Sequence, residues 1–152
     1  MSKSNVDLVA EEATELPTTV AQRLACKLDK PWIEIDLSMT ERKLAGIADA
    51  LDERAKGFPL PPFGKRFGVK YLPREDGIRE EEWRRRILKQ RAEVVLCLCG
   101  YLHLDPFTKK LEEAKCHVEK LDLTEFLWFR ELFGEYSIVE ENGERRSEVR
   151  WP

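Results

Sequence analysis

The chain has 152 residues, 42% of them hydrophobic and 36% charged, and carries a net charge of −3. That length suits one domain with a sizeable core, and the net acidity excludes a bulk attraction to nucleic acid. Charge is uneven along the chain: residues 56–91 hold eleven bases against five acids, residues 1–16 one lysine against four acids, and residues 92–152 eight bases against thirteen acids. A basic middle between acidic ends points to complementary contacts within the chain or between copies. The longest apolar stretch, Val94 to Leu104, is interrupted by Gly100 and His103 and falls short of the ~20 residues of a membrane span. The opening Met1-Ser-Lys-Ser-Asn-Val-Asp7 lacks the basic-then-apolar order of a secretory signal, so the expectation is a cytoplasmic origin without membrane association.

Residues 1–16 are acidic and poor in large apolar groups, and read as a flexible arm. Thr18 or Thr19 caps a helix to about Asp29, with Val20, Leu24 and Leu28 as its stripe. Lys30-Pro31 stops it, and the alternation from Trp32 to Leu37 allows a short extended piece. Ser38 and Glu41 form a capping-box pattern that opens a helix to about Ala55. Gly57 ends it, and three prolines within Phe58–Pro62 make a rigid connection. Phe63 to Val69 reads as a short helical turn and Lys70 to Gly77 as a loop.

A central helix is then expected over Ile78–Leu98. Glu80, Glu81 and Glu82 suit its positive N-terminal end, and Arg84, Arg85 and Arg86 follow at the four-residue offset that pairs acids with bases. Trp83, Ile87, Val94 and Leu98 share one face, and the apolar second half should be the most buried part of the protein. Asp105-Pro106 opens another helix. His117 to Leu123 alternates as a strand would. Asp122 and Glu125 cap an aromatic helix that reaches Phe133, with Gly134 as its stop. Tyr136–Glu140 and Arg145–Trp151 flank Asn142-Gly143, a strong hairpin signal.

Three chemistries bear on the residue pattern. Cys97, Cys99, His103, Cys116 and His117 are the clustered soft ligands, but on a helix Cys97 and Cys99 diverge, and the gaps do not suit zinc. Buried cysteines acting as small hydrophobes are the preferred reading, with no metal or cofactor expected. Lys56, Lys65, Arg66, Lys70 and Arg74 interleave with Phe58, Phe63, Phe67 and Tyr71, a mix that would suit single-stranded nucleic acid; core aromatics beneath a solvated basic face are favoured instead. No nucleophile elbow, phosphate loop or zinc-helix motif occurs, so the chain is not expected to be an enzyme.

Phe63-Gly-Lys-Arg-Phe67-Gly68-Val69, then Leu72-Pro73, then Arg79-Glu-Glu-Glu-Trp83-Arg84-Arg85-Arg86-Ile87-Leu88 resembles the helical part of baseplate-J-like proteins of contractile-tail phages. The loop Arg74–Ile78 is longer than in that pattern, and Tyr71 stands where arginine is common. The resemblance implies a structural virion component assembled in a host cytoplasm. It would act through contacts with other tail or baseplate proteins or with itself, without catalysis. Trp83 and Ile87 would anchor the helix, and Arg84 and Arg86 would make intersubunit or capping contacts. Together with Arg85, Trp128 and Trp151, the residues Trp83, Arg84 and Arg86 form the expected interaction set. Two alternatives stay open: a small protein that binds and inhibits or regulates a partner, and a nucleic-acid-binding protein.

The expected fold is mainly α, in the α+β class: a helical bundle around the central helix with a small C-terminal β-hairpin. Residues 17–152 would form a single domain, with 63–104 as its helical core and 105–152 as the C-terminal helices and hairpin.

Overall fold

The computed structural model describes residues 5–13, 18–56 and 67–150. The proline-rich connection Phe58–Pro62, the start of the Phe63–Val69 turn, Lys65, Arg66 and Trp151 lie outside the described residues.

The middle strand of the first sheet lies where an arm was expected. β1 (Leu8–Glu11) pairs in parallel with β2 (Trp32–Glu34) on one side and with β4 (Val95–Leu98) on the other. Leu8, Val9 and Ala10 are buried, so this part of the acidic arm is a correction: few apolar residues suffice when each sits at the sheet centre. Successive strand residues face opposite sides. Val9 meets Ala21 and Ala25 of α1 (Val20–Leu28), whose small side chains let the helix lie close to the sheet. Ala10 faces the other way, into a cluster with Ile35, Trp83, Ile87 and Phe107. Trp83 and Ile87 come from α4 (Pro73–Lys89), and Phe107 from α5 (Leu104–Glu113). Helices thus cover both faces of a parallel sheet, the condition such sheets need.

The α+β class and the C-terminal strand pair stand as expected. So does the central place of the charged helix, but its span shifts. α4 starts at Pro73, which occupies the first helical position, and stops at Lys89; Arg91, at φ 56°, turns the chain into β4. The middle of the run Val94–Cys99, Val95–Leu98, is therefore a strand. A short apolar stretch with two adjacent valines carries no periodicity that separates helix from strand, and pairing with β1 decides it. Nor is this stretch the most buried, since Val94 and Leu96 are exposed.

The helix expected from Ser38 to Ala55 has the capping box, then breaks at Gly46 (φ 68°) into α2 (Met39–Leu44) and α3 (Ala48–Lys56). β3 (Phe67–Lys70) is a strand, not a helical turn, because it pairs with β6 (Glu144–Arg150). β5 (Glu135–Glu141) completes an antiparallel sheet in the order β3-β6-β5, and Asn142 and Gly143 both take positive φ in the tight turn. Residues 117–122 form no strand. α6 (Leu127–Phe133) ends at Gly134, at φ 83°, where a Cβ would come within 2.8 Å of the Arg150 carbonyl oxygen.

Candidate functional site: a buried charged centre

All three parallel strands end at one polar centre. Glu12 follows β1, Asp36 lies two residues past β2, and His103 ends a 3-10 turn (Tyr101–His103) after β4. α4 adds Asp76, Arg79, Glu80 and Trp83 across the top. The spacing 76, 79, 80, 83 is that of one helical face, so the helix that fills the apolar core below carries the charges above.

Arg79 holds the centre and is only 5% exposed. Its Nε donates to Asp36 Oδ1 (3.0 Å) and its Nη2 to Asp36 Oδ2 (2.7 Å), a two-pronged grip. Nη2 also donates to Glu12 Oε1 (2.6 Å), while Nη1 donates to Asp76 Oδ1 (3.0 Å) and His103 Nε2 (3.3 Å). Every guanidinium N–H therefore has an acceptor. Burial disfavours the Arg79 charge, yet the hydrogen bonds and attraction of Asp36, then Glu12, outweigh it and raise its pKa. For Asp36, burial pushes the carboxyl up, but Arg79, Trp83 and Arg42 together hold it below its ordinary value. Trp83 Nε1 donates to Asp36 Oδ1 (2.9 Å), and the guanidinium lies 5.1 Å from the Trp83 ring centre.

Glu80, fully buried, accepts from His103 Nδ1 (2.9 Å) and from the Tyr71 hydroxyl (2.9 Å). Arginine cannot accept, so in the neutral ring the imidazole proton sits on Nδ1 and Nε2 carries the lone pair. Burial and the neighbouring Glu80 keep the Tyr71 phenol protonated well above its usual range. A carboxylate that orients an imidazole fixes its tautomer, and here Nε2 is left to accept from the Arg79 guanidinium. The exit toward solvent is Glu12, at 17% the most exposed of these acids; its Oε2 accepts from the Gly100 amide (2.6 Å). Two surface concavities, about 260 Å³ over β5 and β6 and about 580 Å³ beside Pro73 and Ile78, lie apart from this centre.

The expected interaction residues fare differently. Trp83 is fully buried, so it is corrected from a surface contact to the core of the centre; its periodic position was read rightly but its indole N–H finds Asp36. Arg84 pairs with Glu81, and Arg85 grips Glu82 through both oxygens (2.7 Å each). Arg86 donates to Glu82 (2.8 Å) and to the Asp36 carbonyl (2.8 Å), and it pairs with Glu41 of α2. These three arginines thus serve their own chain. Glu82 is pulled down to about 2, first by its hydrogen bond from Arg85 and with the help of Arg86, against burial that pushes it up. Trp128 is 50% exposed, in a ribbon with Leu127, Leu132 and Phe133.

Cys97 and Cys99 pack on the α4 side of the sheet, both on one face because β4 is a strand, which corrects the diverging placement expected of a helix. Burial pushes the Cys97 thiol far up and Cys99 to about 12. Among the described residues, no three His, Cys, Asp or Glu side chains are placed to hold a metal ion, and no helix is long and apolar enough to cross a membrane. Glu12, Asp36, Asp76, Arg79, Glu80 and His103 went unrecognised as a set in the sequence. The one available signal was a charge immediately after each of two short apolar runs. Comparison with protein-family models, curated proteins and solved structures gives no match in any of the three.

Proposed function

We propose that the protein binds a small polar ligand at the carboxyl ends of β1, β2 and β4, with Glu80 and His103 backing Glu12. The observation that carries this reading is the convergence of side chains from three parallel strand ends, beside the point where β2 and β4 diverge from β1. Open parallel sheets present their ligand sites there. Stability by itself does not call for such a centre, because well-packed apolar side chains of similar volume serve as well as a buried ion network. The test is a broad small-molecule screen by NMR that follows the Gly100 amide and the His103 ring. Compounds that move both signals support the reading. If acids, amides, esters, sugars and amines all leave both signals in place, it fails.

A second reading is a structural component of a phage tail or baseplate that works through protein–protein contacts. It draws support from the exposed apolar ribbon of Leu127, Trp128, Leu132 and Phe133, a surface of the kind that marks protein interfaces. Mass spectrometry of purified virions tests it, and absence of the chain from particles would sink it.

A further inference from the structure

We propose that the Gly100 amide and Arg79, beside His103, form a cradle for the carboxylate of a ligand, and that the protein's own Glu12 fills this cradle in the structure described. The inference rests on the reading of the centre as a ligand site and names the chemistry of that ligand.

The cradle has two donors. Glu12 Oε2 lies 2.6 Å from the Gly100 nitrogen, and Oε1 lies 2.6 Å from Arg79 Nη2. His103 Nε2 stands 3.7 Å from Oε1. One oxygen on a backbone N–H and the other on a guanidinium is the planar, two-pronged recognition that suits a carboxylate.

Gly100 shows that the space belongs to an oxygen. Its φ of −63° and ψ of 148° are open to any residue, so the backbone does not require glycine. A Cβ there would lie 3.1 Å from Glu12 Oε2 and 3.7 Å from His103 Cδ2. What the missing side chain provides is close approach of an anion to the amide.

Glu12 is also the acid best able to leave. Asp36, Asp76 and Glu80 are at most 3% exposed and each accepts from at least two groups, whereas Glu12 lies at the solvent edge. If Glu12 swings out, the Gly100 amide and one N–H of Arg79 lose their acceptor. An incoming carboxylate replaces it on the same two donors without changing the charge of the centre. Glu12 thus acts as an internal competitor that closes the site when no ligand is present.

Titration with sodium acetate and sodium formate at constant ionic strength, followed at the Gly100 amide by NMR, tests the proposal. Glu12→Ala is expected to bind both anions saturably. Wild type is expected to bind them about tenfold more weakly, the factor for a competitor that vacates the cradle about a tenth of the time. The double variant Glu12→Ala, Gly100→Ala should bind both more weakly than Glu12→Ala, since the added Cβ would stand only 3.1 Å from the oxygen's place. A folded Glu12→Ala protein that ignores both anions overturns the proposal, as does unchanged binding in the double variant. Should Glu12→Ala not fold, wild type decides: no acetate-dependent movement of its Gly100 amide overturns it too. Neutral or cationic compounds that bind where acetate and formate do not would leave the ligand site standing and remove the carboxylate cradle.

Discussion

The two sheets treat the same chemistry in opposite ways. Around the parallel sheet, charges from residues 12, 36, 76, 79, 80 and 103 are drawn together under cover, and the ion pairs of Arg79 with Glu12 and Asp36 join positions far apart in sequence. Around the antiparallel sheet, Lys70, Arg145 and Arg146 pair with Glu140, Glu141, Glu144 and Asp105 at the surface, while aromatic side chains of α6 meet solvent. Water screens the second set, and each pair there is worth about 0–1 kcal/mol. In the first set the same charges are costly to strand, so position matters more than number. Arg79 and Arg85 show the contrast within one helix: the first is 5% exposed and grips three acids, the second is 63% exposed and grips one.

Breaking that contrast at its strongest point should give the largest effect. Arg79→Met leaves Glu12 without its cation and Asp36 and Asp76 with only Arg42 and Arg54, and we expect a loss of about 3–5 kcal/mol in urea unfolding. Arg85→Ala on the same helix should leave the unfolding midpoint where it is. Equal effects of the two would show that burial does not separate them.

Trp83→Phe keeps an aromatic ring on Phe107 but removes the N–H that reaches Asp36. A loss of about 1–3 kcal/mol is expected, the range for a buried acceptor losing one donor beside a small cavity. A neutral outcome would mean that Arg79 and Arg42 suffice for Asp36.

Acid should expose the centre next. The folded-state pKa of Asp36 is lowered, so its contribution is present above the unfolded value near ~4 and is lost as pH falls through the lower folded value. Stability should therefore hold from pH 7 to about 5 and decline below about 4. Asp36→Asn should flatten the decline more than Glu82→Gln, because Glu82 keeps more contact with water than Asp36 and its Arg85 partner is exposed. The reverse order in acid titrations followed by circular dichroism would place the sensitivity on the surface.

Thiol labelling sharpens the comparison kinetically. Cys26 is exposed, while burial holds Cys97 and Cys99 as thiols. With a disulfide reagent at pH 8, Cys26 should react first, and Cys97 and Cys99 only as the protein unfolds. The smallest effect belongs to the ribbon. Leu127→Ser and Trp128→Ser should each move stability by no more than about 0.5 kcal/mol. A larger loss would mean that these side chains are core.

Much of the second half of the chain was legible. Asn142-Gly143 fixed a hairpin because two consecutive positive-φ positions admit few residues, and Gly134 marked a stop for the same reason. The capping box at Ser38 and Glu41 formed as written, being local. The parallel sheet was not legible, since its three strands have only four, three and four residues and pair across gaps of more than twenty. Of the candidate site, Trp83 was singled out, but for the wrong surface.

The sequence by itself determined the local events: helix starts and stops, the tight turn, the face of α4 that carries Trp83 and Ile87. Of the three Glu-to-Arg pairs expected at four residues it determined one, Glu82 with Arg86; Arg84 and Arg85 instead meet Glu81 and Glu82 three residues back. Only the tertiary structure decided that Val95–Leu98 is a strand, that Leu8–Glu11 is the centre of a sheet, and that Glu80 leaves the glutamate series to meet His103 and Tyr71. Those outcomes depend on partners brought together from distant parts of the chain, and no local preference encodes which charge will be left in water and which will be enclosed.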